Sequence, residues 1–415
     1  MTELHDPPNF VSQMRQILAA DKLPLAFFLG AGCPTSIRVV NINDGSSDAL
    51  IPDIAGVTRM VEELMSNDRA LSGSFVRLRE TFSEDGYTSP TVEDILNRVR
   101  AFHDVAGAAG VRGLDASTLK SLDNKICTVI RDVVDKSLPT KDSPYHHLAD
   151  FVRLRRQRAP EIFTTNYDLL CEEALEDRRT TYFDGFVGAV RPFFDQQAIE
   201  EGECPPRWAR LWKLHGSVNW RIEPESNRVF RSGDARDGDE LLIHPSRLKY
   251  DESRRMPYVV MIDRLRGFLR RSGPAALIMS GYSFGDEHIN AAIVDGLQAN
   301  PSAVCFGLQY GSIEKYPAGV ALAKRHRGLA LFAADAAVFR GIEGPWAPHS
   351  AVDQGFLAGA FEGVTQTSAG GNGTSHISSD TEVNTEVRMS LGDFAKLGAF
   401  LRQFIDLAKG PGDEA

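Results

Sequence analysis

The sequence has few cysteines and no closely spaced pair of them. The five are Cys33, Cys127, Cys171, Cys204 and Cys305. A Cys-x-x-Cys pair is the usual ligand pattern of a structural zinc site, so the spacing predicts that no metal is bound. An odd number of scattered cysteines is typical of reduced thiols, which favours a cytoplasmic protein.

Positive charge and long apolar runs are also scarce. The chain carries 46 Lys and Arg against 56 Asp and Glu, which gives a net charge of −10. This balance argues against a mainly electrostatic grip on nucleic acid. Basic stretches do occur at residues 153–156 and 264–271, where solvated helix faces are the simpler interpretation. No apolar run is long enough to cross a bilayer, and the acidic N-terminus is unlike a secretory signal.

No nucleotide-binding fingerprint is complete either. A glycine turn, Gly30-Ala31-Gly32, follows the apolar run at residues 25–29, but the third glycine of a dinucleotide fingerprint and the Gly-Lys-Ser/Thr of a P-loop are missing. Glycines after a first strand let backbone amides approach a diphosphate. A tight structural turn is an equally good interpretation.

Apolar runs that end in glycine or polar residues recur along the chain. They lie at residues 25–29, 161–164, 211–214, 275–280, 303–308 and 329–332. Strands that alternate with helices predict a Rossmann-like, doubly wound parallel α/β sheet. Residues 74–156 have helical periodicity and no strand, which predicts a helical insertion over about residues 60–156.

The remaining segments suggest a domain at residues 1–345, a linker at 346–385 and a C-terminal assembly helix at 386–415. The linker is rich in glycine and hydroxyl residues. The helix, with Ser390 as its cap, carries an apolar stripe that either packs on its own domain or joins helices in an assembly. Residues 39–50 are predicted to be a mobile loop, either a lid over a ligand or a plain surface excursion.

Polar side chains follow two of the apolar runs. Asn166 and Asp168 come after the second run, and His215 follows the third. Open α/β sheets bind ligands at the carboxyl ends of their strands. An imidazole titrates near neutrality, so His215 is the natural general base. The structural alternatives are that Asn166 caps a helix starting at Tyr167 and that His215 is a hydrogen-bonded core histidine.

The run at residues 275–280 ends in Gly281-Tyr282-Ser283, and Asp286 and His288 follow. This is again a strand, a glycine, a hydroxyl and a helix start. Asp286 is a plausible N-cap. For both Asp286 and His288, a structural role at the helix start is the first interpretation and a ligand contact the second.

Four motifs in order resemble the sirtuin (SIR2) superfamily, and more closely its bacterial SIR2-like branch used in antiphage defence. The motifs are Gly30-Ala31-Gly32, Thr164-Thr165-Asn166-Tyr167-Asp168, Leu214-His215-Gly216-Ser217 and Gly281-Tyr282-Ser283. The resemblance covers roughly residues 20–340. It implies a Rossmann-like fold that takes NAD+ as its substrate.

Two departures from the protein-deacylating sirtuins point towards the NAD-hydrolysing branch. The zinc module with two Cys-x-x-Cys pairs is missing, and Thr165 stands where the deacylases usually have glutamine. The resemblance therefore implies an NAD+ glycohydrolase that depletes NAD+ in abortive infection. Chain length and the C-terminal segment most resemble the homo-oligomeric SIR2 partner of a HerA-type DNA translocase ATPase. An Argonaute or another phage sensor is the alternative partner.

The resemblance also implies residue roles. Asn166 would orient water or ribose, and Asp168 would support the nicotinamide side of the pocket. Asp53 matches an Ile-Pro-Asp that faces nicotinamide in sirtuins, although the loop before it is longer here. The expected cofactor-binding residues are Gly30, Ala31, Gly32, Cys33, Asp53, Thr165, Gly281 and Ser283. An NAD-binding regulatory module without turnover and a zinc-free deacylase are the alternative functions.

Overall fold

The computed structural model describes residues 3–40, 45–202, 204–223, 226, 228–233, 240–243, 257–347, 357, 359–364 and 386–409. The strands are β1 (Leu25–Leu29), β2 (Arg38–Val40), β3 (Ser47–Ala49), β4 (Glu161–Thr164), β5 (Tyr182–Phe183), β6 (Phe186–Val187), β7 (Phe193–Phe194), β8 (Ala209–Lys213), β9 (Gly216–Glu223), β10 (Arg228–Arg231), β11 (Glu240–Ile243), β12 (Ala275–Ser280), β13 (Ala303–Leu308), β14 (Leu329–Phe332), β15 (Ala336–Phe339), β16 (Ile342–Pro345), β17 (Phe361–Val364) and β18 (Glu386–Met389).

The helices are α1 (Pro7–Ala19), α2 (Gly32–Thr35), α3 (Ile54–Ser66), α4 (Ser72–Glu84), α5 (Val92–Val105), α6 (Ala116–Val134), α7 (Pro144–Leu154), α8 (Leu170–Asp177), α9 (Gln196–Glu201), α10 (Tyr258–Arg270), α11 (Glu287–Ala299), α12 (Pro317–Arg325) and α13 (Phe394–Lys409). A short 3₁₀ turn, Ile313–Lys315, precedes α12.

A nine-stranded sheet with the order β16-β15-β14-β13-β12-β1-β4-β8-β5 forms the centre of the fold. The seven strands from β14 to β5 are parallel, and β15 and β16 add an antiparallel edge. All five residues of β1 are buried, because helices cover both faces of the sheet at its centre. The predicted doubly wound α/β fold is confirmed.

The strand order places a topological switch point beside β1. After β1 the chain adds β4 and β8 on one side, then returns to add β12, β13 and β14 on the other. The connections therefore run in opposite directions from the boundary between β1 and β12. Doubly wound sheets bind ligands in the crevice at such a boundary, outside the carboxyl ends of the strands.

The predicted helical insertion is present as α3 to α7, which lie between β1 and β4 in the chain. Its apolar stripes form part of the core. Along α6, for example, Leu119, Leu122 and Ile126 are fully buried. Two neighbouring segments differ from their predictions. Residues 39–50, predicted as a loop, include parts of the paired antiparallel strands β2 and β3, and residues 41–44 lie outside the described residues. The exposed strands fit a surface excursion, and a role as a mobile lid stays a prediction. Helix α8 starts at Leu170 instead of Tyr167.

The apolar stripe of the C-terminal helix packs on the chain's own domain, which was the first of the two alternatives. The ring of Phe394 lies 4.9 Å from that of Tyr145 on α7, and Leu397 and Leu401 are fully buried. A Cβ on Gly398 would come within 2.8 Å of the Cα of Pro144, so the two helices are in close contact. The stripe itself is thus not a surface for another subunit, contrary to the prediction of an assembly helix.

The segment before α13 is only partly described. Strand β17 lies inside the predicted linker and pairs with β18, while residues 365–385 lie outside the described residues. The predicted cap at Ser390 is wrong. The helix begins at Phe394, and the Asp393 carboxylate accepts a hydrogen bond from the amide of Ala395 at 2.9 Å.

Replacing Leu397 by alanine is expected to lower the free energy of unfolding by about 2–5 kcal/mol, because the change leaves a cavity in a fully buried contact. The control is Leu407→Ala on the same helix, where the side chain is 78% exposed and the expected change is within about 0.5 kcal/mol. Urea unfolding of the three proteins measures both values. Equal midpoints for Leu397→Ala and the unchanged protein would contradict the packing of α13.

Candidate functional site

The turn after β1 and the turn after β12 are in direct backbone contact at the switch point. The amide of Gly30 donates to the Ser280 carbonyl at 2.9 Å, and that of Gly32 donates to the Gly281 carbonyl at 3.0 Å. A Cβ on Gly30 would lie 2.3 Å from the Gly281 oxygen, and Gly281 itself has a φ of +68°. Glycine is therefore required at both turns for steric reasons.

Two backbone amides of the predicted diphosphate site are hydrogen-bonded within the protein. The amides of Gly32 and Cys33 already donate within the protein, the second to the Gly30 carbonyl at 3.0 Å. The Gly32 amide is held by the turn after β12 and the Cys33 amide by the turn that leads into α2, so the prediction that these two amides hold a diphosphate does not fit the hydrogen bonds they make. Ala31 and Ser283 are exposed at the mouth of the crevice, and their contact with a diphosphate stays a prediction.

Asn166 joins the ends of β4 and β1. Its side-chain amide donates to the Gly30 carbonyl at 3.1 Å, and its backbone amide donates to the Thr164 hydroxyl at 3.0 Å. The Thr164 hydroxyl donates in turn to the Leu29 carbonyl at 2.9 Å. Asn166 is buried and does not cap a helix. Hydrogen bonds to both strand ends fix this side chain beside the switch point.

Asp168 lies buried one turn before α8. One carboxylate oxygen accepts from the Leu170 amide at 3.1 Å. The ammonium group of Lys213 donates to the Asp168 backbone carbonyl and, at 3.0 Å, to Glu172. Burial raises the pKa of Asp168 to about 6, although the nearby Lys213 charge opposes the rise. Asp168 is therefore an acid that changes charge close to physiological pH.

We expect the stability of the protein to depend on pH through Asp168. The folded-state pKa lies above the ordinary value of 3.8, so this group's contribution is fully present below about pH 4 and is lost as the pH rises through about 6. This rise in the pKa of Asp168 corresponds to a change in the free energy of unfolding of up to about 3 kcal/mol. The Asp168→Asn protein should therefore lose less unfolding free energy than the unchanged protein between pH 4 and pH 7. Urea unfolding at both pH values checks this, and parallel pH profiles would contradict it.

His215 sits at the corner where the chain leaves the central sheet. Strand β8 ends at Lys213, and β9 begins at Gly216 in a second, five-stranded sheet of order β11-β9-β10-β7-β6. The turn requires a φ of +94° at Gly216. The side chain of His215 is buried and points towards α11.

Asp286 orients His215. One of its carboxylate oxygens lies 3.0 Å from Nε2 of His215, while the other caps α11 by accepting from the amides of His288 and Ile289. Burial pushes the pKa of Asp286 upwards, but the hydrogen bonds from His215 and from the two amides outweigh it and hold that pKa well below its usual range. The ionised carboxylate therefore has the predicted structural role at the helix start and also holds His215, while a contact of Asp286 with a ligand stays a prediction.

A second carboxylate reaches the histidine from the helical insertion. Oε1 of Glu93, on α5, accepts a hydrogen bond from the Tyr167 hydroxyl at 3.0 Å and lies 3.8 Å from Nδ1 of His215. Glu93 is not among the predicted site residues, because the clearest signal of its helix in the sequence is an apolar stripe. The capping motif that begins at Thr91 could have flagged an ordered helix start but not its proximity to His215.

Three other predicted residues lie outside this cluster of side chains. Asp53 is exposed, and its carboxylate caps α3 by accepting from the Gly56 amide at 2.8 Å. Thr165 is half-buried and contributes its backbone amide to the Leu29 carbonyl at 3.3 Å. The side chain of His288 is exposed. No described contact links Asp53 to Asn166 or His215, so its role stays a prediction.

Two kinds of feature are absent from the described ranges. There, no group of three or more His, Cys, Asp or Glu side chains is arranged to hold a metal ion. No helix in the same ranges is long and apolar enough to cross a membrane.

Part of the chain that carries these residues matches a known domain family. Residues 160–314 match the SIR2-like domain family, and the match includes Asn166, Asp168, His215 and Asp286 but not the glycine turn at Gly30. The matched segment is less than half of the chain. No curated protein is similar enough to be matched.

Several solved structures overlap most of the chain at low identity. A complex of a Sir2 homolog with NAD is 14% identical, covers 77% of this chain and 89% of its own, and has a TM-score of 0.32. Sir2 bound to an acetylated peptide is 12% identical, with 72% and 86% covered and a TM-score of 0.32. A structure described as a basis for the mechanism and regulation of Sir2 enzymes is 12% identical, with 75% and 90% covered and a TM-score of 0.35.

Proposed function

We propose that the protein is an NAD+ glycohydrolase, which hydrolyses the bond between nicotinamide and ribose. The observation that carries the proposal is the pairing of His215 with the ionised Asp286 after β8, while Asn166 follows the neighbouring strand β4 at the same carboxyl edge of a SIR2-like sheet. A base oriented by a carboxylate and a fixed amide at the same edge are groups that can activate a water molecule.

Hydrolysis of NAD+ requires a general base but no strong general acid. Nicotinamide leaves from a cationic pyridinium, so the breaking bond returns its electron pair to the ring nitrogen and no strong general acid is needed. The anomeric carbon becomes positively charged and is attacked by water, whose proton must be removed. A base of near-neutral strength is suited to that step.

His215 can accept that proton in one tautomer. If Nε2 carries the hydrogen and donates it to Asp286, the lone pair is on Nδ1, on the side of Glu93. The two carboxylates would then stabilise the imidazolium that forms. Asn166, fixed by its bond to the Gly30 carbonyl, would orient the water or the ribose.

Incubation of the purified protein with NAD+ separates three functions. Free nicotinamide and ADP-ribose support the glycohydrolase. Bound, intact NAD+ with no turnover supports a regulatory NAD-binding module. Release of nicotinamide only when an acylated lysine peptide is present supports a deacylase. The assay is run with the protein alone and together with its partner, so that an enzyme needing activation is not mistaken for a binding module.

Metal analysis provides an independent check on the deacylase alternative. Because the sequence has no Cys-x-x-Cys pair, we expect less than one zinc per chain, and we expect a chelator to leave the unfolding midpoint and nicotinamide release unchanged. Tightly bound zinc at one per chain would contradict this expectation and favour the deacylase.

The biological role that we propose is NAD+ depletion in antiphage defence, within a homo-oligomer bound to a HerA-type DNA translocase ATPase. The support for this is the resemblance of the motifs. Burial of the α13 stripe means that truncation before residue 386 would expose α7 and would not be a clean test of assembly. Co-purification and sedimentation of the full chain with such an ATPase, and with an Argonaute as the alternative, test the partner directly.

A further inference from the structure

A cavity of about 200 Å³ lies at the amino-terminal edge of the central sheet, away from His215. It is formed where β4 and β8 begin and where α10 leads into β12. Glu161 starts β4 and lines the cavity, whereas Asn166 follows the other end of the same strand. The cavity and the proposed catalytic crevice are therefore at opposite edges of the sheet, and the proposed function makes no use of the cavity.

Arginines dominate the polar lining. Arg210, Arg264 and Arg271 line the cavity together with a single carboxylate, that of Glu161. The carboxylate is already engaged, because it accepts from Arg271 at 2.8 Å and from the indole of Trp212 at 2.9 Å. Arg210 and Arg264 have no carboxylate within ion-pairing distance in the described part of the chain. The lining thus carries an excess of positive charge.

Some of these guanidinium groups are buried with unused donors. Nε of Arg264 and Nη1 of Arg271 are inaccessible to solvent and have no hydrogen-bond partner among the described residues. Arg264 uses Nη1 to hold the Ile199 carbonyl at 3.2 Å, and Arg271 stacks over Phe268 at 4.2 Å. Both side chains are thereby held in place. Unpaired buried donors are unfavourable, so these guanidinium groups keep hydrogen-bonding capacity and positive charge that the described residues do not satisfy.

The neighbouring arginines also repel one another. Arg158, which precedes β4, has its pKa lowered by burial and then by the charges of Arg271 and Arg210. A bound anion would relieve this repulsion. Of the two basic stretches in the sequence, the one at residues 264–271 is therefore more than a solvated helix face, since it turns Arg264 and Arg271 towards one cavity.

We propose that this cavity binds a small phosphate-bearing molecule through Arg210, Arg264 and Arg271. The planar guanidinium fork matches two phosphate oxygens at once, and a doubly charged group balances the excess charge better than a single carboxylate does. Phe183, Trp212 and Phe268 provide an aromatic wall for the part of the molecule next to the phosphate. A volume of about 200 Å³ suits a small molecule better than an extended acidic segment of a protein.

One cysteine in the cavity lining can be used to measure whether the cavity is occupied. Cys204 is half-buried there, whereas the other four cysteines of the chain are buried. Its rate of reaction with an aromatic disulfide reagent therefore reports on access to the cavity. We expect inorganic pyrophosphate, at constant ionic strength, to slow this reaction of the full-length protein in a saturable manner. A Cys204→Ser protein, which should lack the fast phase, identifies the signal.

The arginine variants test the assignment. In an Arg210→Gln, Arg264→Gln protein, pyrophosphate should protect Cys204 at concentrations roughly tenfold higher or more, because two charge-assisted contacts are lost. The matched control is Arg270→Gln, an exposed arginine at the end of the same helix α10, which should leave protection unchanged. Protection is compared with and without pyrophosphate within each variant, because removal of Arg210 also changes the thiol's own reactivity.

Three results would overturn the proposal. If the reaction rate of Cys204 depended only on ionic strength and not on the identity of the anion, the cavity would have no specific anion site. Equal protection by succinate and by pyrophosphate would remove the preference for phosphate. Unchanged protection in the double variant, with its fold verified by circular dichroism, would place the anion elsewhere. Inorganic phosphate is titrated beside pyrophosphate, and tighter binding of pyrophosphate would favour a phosphate ester or diphosphate over free phosphate as the natural ligand.

Discussion

A correctly folded His215→Ala protein is expected to release nicotinamide from NAD+ about a hundredfold to ten-thousandfold more slowly than the unchanged protein. This is the usual contribution of a general base. The expectation follows from the orientation of His215 by Asp286 at 3.0 Å. Asn166 follows the neighbouring strand at the same edge of the sheet, and its replacement by alanine should have an effect of similar size. Single-turnover release of nicotinamide, followed by chromatography, measures the loss.

Two further variants separate a catalytic role from a structural one. Asp286→Asn keeps an oxygen that can cap α11 but removes the charge beside His215. Its rate should fall about tenfold or more, and the acidic limb of its pH profile should move to lower pH, because a histidine without the adjacent anion is a weaker base. His288→Ala is the control, since that side chain is exposed two residues further on. Near-normal release by folded His215→Ala would remove the histidine from the mechanism.

The second large effect is expected on stability, at the glycine contact between β1 and β12. A Cβ on Gly30 would lie 2.3 Å from the carbonyl oxygen of Gly281 and 2.9 Å from the Cα of Tyr282. Both are backbone atoms, so no side chain can rotate to make room. Gly30→Ala should therefore separate the two strand ends and lower the free energy of unfolding by about 4 kcal/mol or more, a loss that few single substitutions reach.

The matched control lies in the same loop region. A Cβ on Gly285 would meet only the Ser283 hydroxyl, at 3.5 Å, so Gly285→Ala should change the free energy of unfolding by less than about 1 kcal/mol. Denaturant unfolding of both variants gives the comparison. A Gly30→Ala protein with the midpoint of the unchanged protein would mean that the two turns are not in contact in solution.

The central strands could be predicted from the sequence because each is buried on both faces. Such a strand appears as an unbroken apolar run, as in residues 25–29 and 275–280, and it needs no partner to be recognised. The pair formed by Arg38–Val40 and Ser47–Ala49 has no such signal. Its residues are largely exposed, so its polar turn was interpreted as a loop.

The site was predictable only in part, for a different reason. Asn166, Asp168 and His215 follow strand ends, and strand ends of a parallel sheet share one edge. The contacts of His215 with Asp286 and Glu93 depend on how α11 and α5 are placed against that edge. A single sequence does not show which residues far apart in the chain come into contact. The same limit explains why the amides of Gly32 and Cys33 were assigned to a ligand, although they donate to neighbouring carbonyls.

The position of β1 between β12 and β4 has a consequence for biosynthesis. The first strand of the sheet leaves the ribosome long before either neighbour exists. At about 5–20 residues per second, translation from Leu29 to Ala275 takes roughly 12–50 s. Strand β4 follows within roughly 7–26 s and can pair with one edge of the run Leu25–Leu29, but the other edge stays unpaired until β12 is made, which is a hazard for aggregation. The nascent chain therefore depends on the helical insertion, or on a chaperone, to cover β1 until β12 arrives.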